Sequence, residues 1–200
     1  TLAAAVAAIS RPREDVLLWD PFCGSGTIAI EAALMMTKTA PGIARHFVCE
    51  QFDILADGAI AKEERAKAFA AIDQDSAFEV YASDIDPEVL EIAKANAERA
   101  GVDDRINFFV ADARKSKKLD RRGTGVCNPP YGERLMTQDE ATQLYRDMGR
   151  AFSALGRWQI YVLTPNEEFE RLYGRRADKV RKLYNGMIPC LFYQFFKPKN

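Results

Sequence analysis

A short apolar run, GTGVC, stops abruptly at Asn128-Pro129-Pro130-Tyr131. Two prolines in succession lock the backbone, with an amide just before them and a flat ring just after. Residues of these types in this order suit the activation of an amino group on a planar ring. Such a nitrogen is a poor nucleophile because its lone pair is delocalised into the ring, and attack on a methyl donor requires it to pyramidalise. Fixed acceptors draw it out of the plane: the Asn128 side-chain oxygen and the Pro129 carbonyl can each take one N–H, preorganised by the rigid elbow. Tyr131 can stack on the base, which must leave its helix if it is paired. Asn128, Pro129, Pro130 and Tyr131 are therefore the candidate catalytic residues.

Acids stand at the ends of three further apolar runs. The first, DVLLWD, runs into Asp20-Pro21-Phe22-Cys23-Gly24-Ser25-Gly26-Thr27. A phosphate-cradling loop of the GxxxxGK[ST] type would need a lysine that is lacking. A dinucleotide fingerprint fits loosely over Gly24 to Ala29, with Glu50 as its later acid. A nucleoside-type cofactor without a diphosphate fits better, because the Asp20 carboxylate would repel a diphosphate and attract a cation. Asp84, followed by Ile85, can accept both hydroxyls of a ribose, and Asp112, followed by Ala113, the amino group of an adenine. Asp86 reads instead as a helix cap.

The elements that must position these residues are legible as an alternation. Strands are expected at Asp15–Asp20, Phe78–Asp84, Ile106–Asp112, Gly123–Asn128 and Trp158–Thr164. Between them lie helical stretches near 1–10, 27–38, 54–73, 86–101, 139–155 and 165–174. A closing hairpin is expected from Ala177–Tyr184, a turn at Asn185-Gly186, and Cys190–Phe196. This order predicts an α/β fold, a mostly parallel sheet with helices on both faces, and ligands at the carboxyl ends of the strands.

Composition narrows the chemistry. With 200 residues, 48% hydrophobic and 28% charged, the chain suits one domain, residues 1–200. No run approaches the roughly 20 apolar residues of a membrane span. Cys23, Cys49, Cys127 and Cys190 are scattered, which argues against a zinc site or a disulfide framework and fits reduced cytoplasmic thiols. With His46 as the one histidine, Ser-His-Asp catalysis has almost no material, and no metal is expected. Net charge is −1, yet Arg114–Arg122 holds six bases around one acid and a second basic stretch runs from Arg171 to Lys182. Both fit phosphate contact as well as they fit solvated surface.

The stretches LLWDPFCGSGTIAIEAA, YASDIDPEVLEIAKANAERAGV, CNPPYGERL and KLYNGMIPCLFYQF together resemble the NPPY-type RNA methylase family of class I methyltransferases, which includes 23S rRNA guanine-N2 enzymes. The resemblance spans nearly the whole chain. It implies a Rossmann-like fold with seven strands and a C-terminal antiparallel hairpin. It also implies S-adenosyl-L-methionine as cofactor, RNA (23S rRNA) as partner, and an RNA-binding THUMP region upstream of a chain that is a fragment of a longer protein. Carried over by position, the cofactor loop falls on Asp20 to Thr27, the ribose acid on Asp84, the adenine contact on Asp112 and the catalytic motif on Asn128 to Tyr131. The stretch HFVCEQFD then belongs to an insertion, which removes Glu50 as the ribose acid. NPPY reports an exocyclic amine without reporting which base, so adenine-N6 methylation of DNA or RNA stays open. Protein-glutamine methylation has less support beside the basic stretches. A nicotinamide-dependent oxidoreductase or a non-catalytic cofactor module would have no use for NPPY.

Overall fold

Apolar runs of four to eight residues, too short for buried helices and bounded by turn residues, become the strands of one sheet. A computed structural model describes residues 1–52, 58–118, 120–131 and 137–196. The elements in chain order are α1 (Leu2–Ser10), β1 (Leu17–Asp20), α2 (Thr27–Met36), α3 (Ala59–Ala70), β2 (Val80–Asp84), α4 (Pro87–Ala100), β3 (Ile106–Val110), β4 (Gly123–Cys127), α5 (Gln138–Ser153), β5 (Trp158–Thr164), α6 (Phe169–Tyr173), β6 (Lys179–Asn185) and β7 (Ile188–Phe195). Strand order is β3-β2-β1-β4-β5-β7-β6. The first five strands are parallel, and β7 runs antiparallel to both β5 and β6. The expected α/β sheet with its terminal hairpin is therefore present.

Two apolar layers cover the sheet. Val6, Ile28, Ala29, Leu90 and Ala93 of α1, α2 and α4 pack on one face. Leu144, Met148, Phe152, Phe169 and Tyr173 of α5 and α6 pack on the other. β1 and β4, central and covered on both sides, are buried at every position, as parallel strands require. The chain reverses its strand order between β1 and β4, and the loops after these two strands face each other across that switch point.

Local signals set the ends of the helices. Asp86 caps α4 by accepting the Glu88 amide at 2.9 Å, with Pro87 at the first position and Gly101 closing the helix. Thr137 and Glu140 form a reciprocal box at the start of α5. Two helices differ from expectation. α6 begins at Phe169 and not at Pro165, because Thr164 Oγ1 accepts the Asn166 amide and Asn166 Oδ1 the Glu168 amide. Those bonds hold a turn where a helix would otherwise start. Of the helix expected over 54–73, residues 54–57 lie outside the described part. The remainder, α3, has no buried residue and leaves Ile60 and Phe69 exposed. It is tied instead through Arg65, whose guanidinium donates to the carbonyls of Ile43 and Arg45 and pairs with Glu50.

α5 and α6 approach so closely that Gly149 faces the Tyr173 carbonyl with no space for a methyl group. The obstacle is backbone at a helix end, which cannot swing aside as a flexible side chain can. Gly149→Ala should therefore lower the unfolding free energy by about 2 kcal/mol or more. Urea denaturation checks this, and an unchanged midpoint would show that α6 moves freely.

Candidate active site

Asp20 ends β1 and is buried, only 1% exposed. Oδ1 accepts the Phe22 amide at 3.2 Å, while Oδ2 has no partner among the described residues. At the end of β4, the next strand in the sheet, Asn128 Oδ1 is likewise buried and unpartnered. Both residues line one cleft of about 410 Å³, together with Phe22, Cys23, Gly24 and Ser25 of the turn after β1. Two orphaned acceptors at adjacent strand ends, opening on one cavity, are positioned to receive donors from a ligand. A larger depression of about 740 Å³, lined by Phe78, Glu79, Val80, Arg105 and Ile106, lies at the opposite, amino-terminal ends of β2 and β3. Among the described residues it has no unpartnered buried acceptor, so it is the weaker candidate.

The rest of the turn is held from β2 and α4. Asp84, at the end of β2, accepts the Gly24 amide at 3.0 Å through Oδ2 and the Asp86 amide at 3.2 Å through Oδ1. A carboxylate has about four acceptor sites, so each oxygen keeps a lone pair for a further donor. Asn96 Nδ2 donates to the Ser25 carbonyl at 2.8 Å, a support that nothing in the sequence pattern indicated. Gly24 has φ +50°, and a Cβ there would meet nothing within 4 Å, so the turn is open on that side. The open side and the unpartnered oxygens fit a cofactor lying along the backbone with a cationic group near Asp20. Behind the turn, Trp19 Nε1 donates to Ser83 Oγ at 2.9 Å, and its ring packs edge-on against Phe152 and Trp158. The unusual tryptophan before the turn is thus a buttress joining β1 to β2.

Burial decides the electrostatics. It pushes the Asp20 carboxyl up from 3.8 to about 8; the Phe22 amide opposes the shift and the Asp84 charge adds to it. Burial, reinforced by Asp20 and Asp84, pushes the Cys23 thiol up, and burial with Asp20 does the same to Cys127. Neither cysteine is a thiolate nucleophile at neutral pH.

The other expected residues are arranged less uniformly. Pro21 and Pro129 are buried, Ser25 and Thr27 exposed, and Gly26 caps α2. Ile85 is 60% exposed and not among the residues lining the cleft, and Ala113 is buried in the α5 layer. Asp112 does not line the cleft. Its carboxylate accepts from Arg114 Nε at 2.8 Å and Nη2 at 2.9 Å, and this pair lowers it from its ordinary value. Glu50 pairs with Arg65 and His46 and does not line the cleft. Tyr131 accepts a hydrogen bond at 3.1 Å from Asn185 Nδ2 in the closing hairpin. Sequence reasoning missed Asn185 and the first turn of α1, Thr1 to Ala3, both of which line the cleft. Among the described residues, no three His, Cys, Asp or Glu side chains gather as metal ligands, and no helix is long and apolar enough to cross a membrane.

Residues 1–194 match the family model UPF0020, described as RMKL-like, methyltransferase domain. The chain belongs to this family. Among curated relatives it is 43% identical to "Putative RNA methyltransferase YpsC" of Bacillus subtilis, over 98% of this chain and 51% of that protein. It is 40% identical to "Ribosomal RNA large subunit methyltransferase K/L" of Aliivibrio fischeri, over 96% of this chain and 28% of that one. The chain thus spans about half the length of the first relative and about a quarter of the second. Among solved structures, SMU.472 complexed with SAH superposes with a TM-score of 0.93 at 36% identity, covering 100% of this chain and 52% of that one. A predicted N6-adenine-specific DNA methylase from Listeria monocytogenes superposes with a TM-score of 0.90 at 40% identity, covering 98% and 50%. The family model thus describes this chain as a methyltransferase domain.

The raised Asp20 value has a measurable consequence. Because the folded-state value lies above the ordinary 3.8, the protonated group stabilises the unliganded fold; that contribution is complete below about pH 4 and is lost as pH rises through about 8. Between pH 5 and pH 8.5 this group should remove about 3–4 kcal/mol of unfolding free energy. Asp20→Asn, similar in shape but not ionisable, should remove that part of the slope in urea titrations at the two pH values. Equal slopes in the two proteins would place Asp20 in contact with water.

Proposed function

We propose that this domain transfers a methyl group from S-adenosyl-L-methionine to an exocyclic amine of RNA, guanine N2 of 23S rRNA. The carrying observation is the buried, unpartnered Asn128 Oδ1 beside the equally unpartnered Asp20 Oδ2 in one cleft. The cofactor, when bound, supplies an electrophilic methyl group. The chain's own residues do the rest. Asp20, neutral in the empty cleft, ionises against a cationic amine, and Asp84 uses its two remaining lone pairs for the ribose hydroxyls. Gly24 leaves room for the ligand against the backbone, and Cys23 offers only a neutral thiol. Asn128 Oδ1 and the Pro129 carbonyl take the two N–H groups of the base, while the Tyr131 ring carries its face. Neither acceptor has to remove the proton, which passes to water once the nitrogen is alkylated.

Asp112 takes part in this reading only by exchanging Arg114 for the adenine amine. Its bidentate bond makes it a weaker cofactor contact than Asp84. The guanine-RNA choice rests on the resemblance and on the name of the Aliivibrio fischeri relative. The Listeria monocytogenes relative's name favours adenine N6 as the second reading. Much of the first basic stretch is offset locally, by Asp112, Glu79 and Asp15. The domain alone should therefore hold RNA weakly and with strong salt dependence. The RNA grip we assign to the additional length seen in the relatives, as the THUMP expectation implies.

Asp84→Ala should weaken cofactor binding by one to two orders of magnitude, about 1.5–3 kcal/mol. Calorimetry showing unchanged affinity would move the ribose site elsewhere. Asn128→Ala, at a residue that also borders the cofactor, should keep most of the cofactor affinity while methyl transfer falls about 10²–10³-fold; retention of more than about a tenth of the rate would reduce Asn128 to a turn residue. The full-length protein should label ribosomal RNA from radioactive S-adenosyl-L-methionine and yield N2-methylguanosine on digestion. N6-methyladenine as product, or duplex DNA as the better acceptor, contradicts the guanine-RNA reading and leaves the cleft assignment standing.

A further inference from the structure

The β6–β7 hairpin reaches past the sheet beside the Asn128–Tyr131 elbow. Its register pairs Leu183 with Cys190 and Asn185 with Ile188. Alternate residues of a strand share a face, so Asn185 and Ile188 lie on the face of Leu183 and Cys190, which joins the α1–α2 core. Two residues further out that face has left the core. Asn185 borders the cleft there and donates to the Tyr131 hydroxyl.

The residues around Asn185 are unusual for a hairpin tip. Met187 is 96% exposed, Tyr184 57% and Ile188 50%. The turn is Gly186-Met187, one residue later than the expected Asn185-Gly186, because Asn185 still pairs with Ile188. Gly186 meets its need for a left-handed residue. Nothing in it requires an apolar side chain at 187, and polar neighbours would keep an edge hairpin soluble. Lys182 Nζ lies 5.7 Å from the centre of the Tyr184 ring, and Lys179, Arg181 and Lys182 are all exposed along β6. An apolar tip on a basic strand, at the mouth of a cleft that receives a planar base, matches a nucleic-acid strand from which one base has been withdrawn. The bases supply phosphate contacts, and the apolar side chains can enter the gap left in the stack.

We propose that the hairpin tip is the substrate-side wall of the site: Asn185 sets the plane of the Tyr131 ring, and Met187 with Ile188 packs against the RNA base next to the target. The inference rests on the RNA reading above. Asn185 is a positioning residue, acting through the Tyr131 hydroxyl. Met187 and Ile188 touch the RNA outside the reacting group.

Full-length protein, tritiated S-adenosyl-L-methionine and 23S rRNA from cells lacking the gene provide the test. Asn185→Ala should lower kcat roughly three- to tenfold, as should Tyr131→Phe. The double variant should be no slower than the slower single one, because both changes remove the same bond. Met187→Glu should raise KM for the RNA roughly tenfold by placing a carboxylate against the strand, with kcat and SAH affinity unchanged. Fully additive losses in the double variant overturn the Asn185–Tyr131 linkage, and an unchanged KM in Met187→Glu overturns the RNA contact. If the wild-type protein labels duplex DNA and not the rRNA, the RNA reading itself falls and the tip contact with it. Activity on rRNA with indifferent variants removes the hairpin inference alone.

Discussion

A carboxyl group buried at the end of the central strand with one oxygen unpartnered constrains everything around it. Removing Asp20 from water raises its value to about 8, so the empty protein holds it as a neutral acid. A natural fold retains such a group only where something outside the chain completes it or where its neutralisation is itself useful. The neighbouring chemistry follows from that burial. Cys23 stays a thiol under the same desolvation and the same negative neighbours, and a cation entering the cleft meets an acid ready to lose its proton.

Placing that acid needs the whole sheet. β1 can deliver Asp20 beside Asn128 because β4 is its neighbour, and the chain arranges this by reversing strand order at that point. The Trp19–Ser83 bond and the aromatic contacts of Trp19 with Phe152 and Trp158 fix the strand ends from behind. Asp84 and Asn96 fix the turn from the β2 and α4 side. The cleft is consequently held from several sides at the turn after β1. At the other end its border is a hairpin tip, tied among the described residues by a neutral hydrogen bond from Asn185 to Tyr131, a lighter hold on the side to which we assign the substrate.

The strand-end residues were legible because parallel α/β topology makes them so. Once apolar runs and capped helices are read, Asp20, Asp84 and Asn128 must converge. Contacts made across long sequence separations were not legible. Asn96 to Ser25 and Asn185 to Tyr131 join elements whose proximity no periodicity encodes, and each is one amide among many. Pro165 looked like a helix start, but the side chains of Thr164 and Asn166 had already claimed the local amides. Asp112 stood at a strand end like the others, yet the Arg114 two residues on occupies it. The stretch 54–73 reads as an amphipathic helix with Ala, Leu, Ile and Phe on one face, yet its described part, α3, has no residue buried.

The central claim is that Asp20 is a neutral acid in the empty cleft and a carboxylate when a cationic cofactor occupies it. Isothermal calorimetry of SAH binding at pH 7, repeated in buffers of different ionisation enthalpy, counts the protons exchanged. The account predicts the release of close to one proton per site by the wild-type protein, from a group with a value of about 8, and no such release by Asp20→Asn. Tight binding with no proton exchange, or with the same exchange in both proteins, would contradict it.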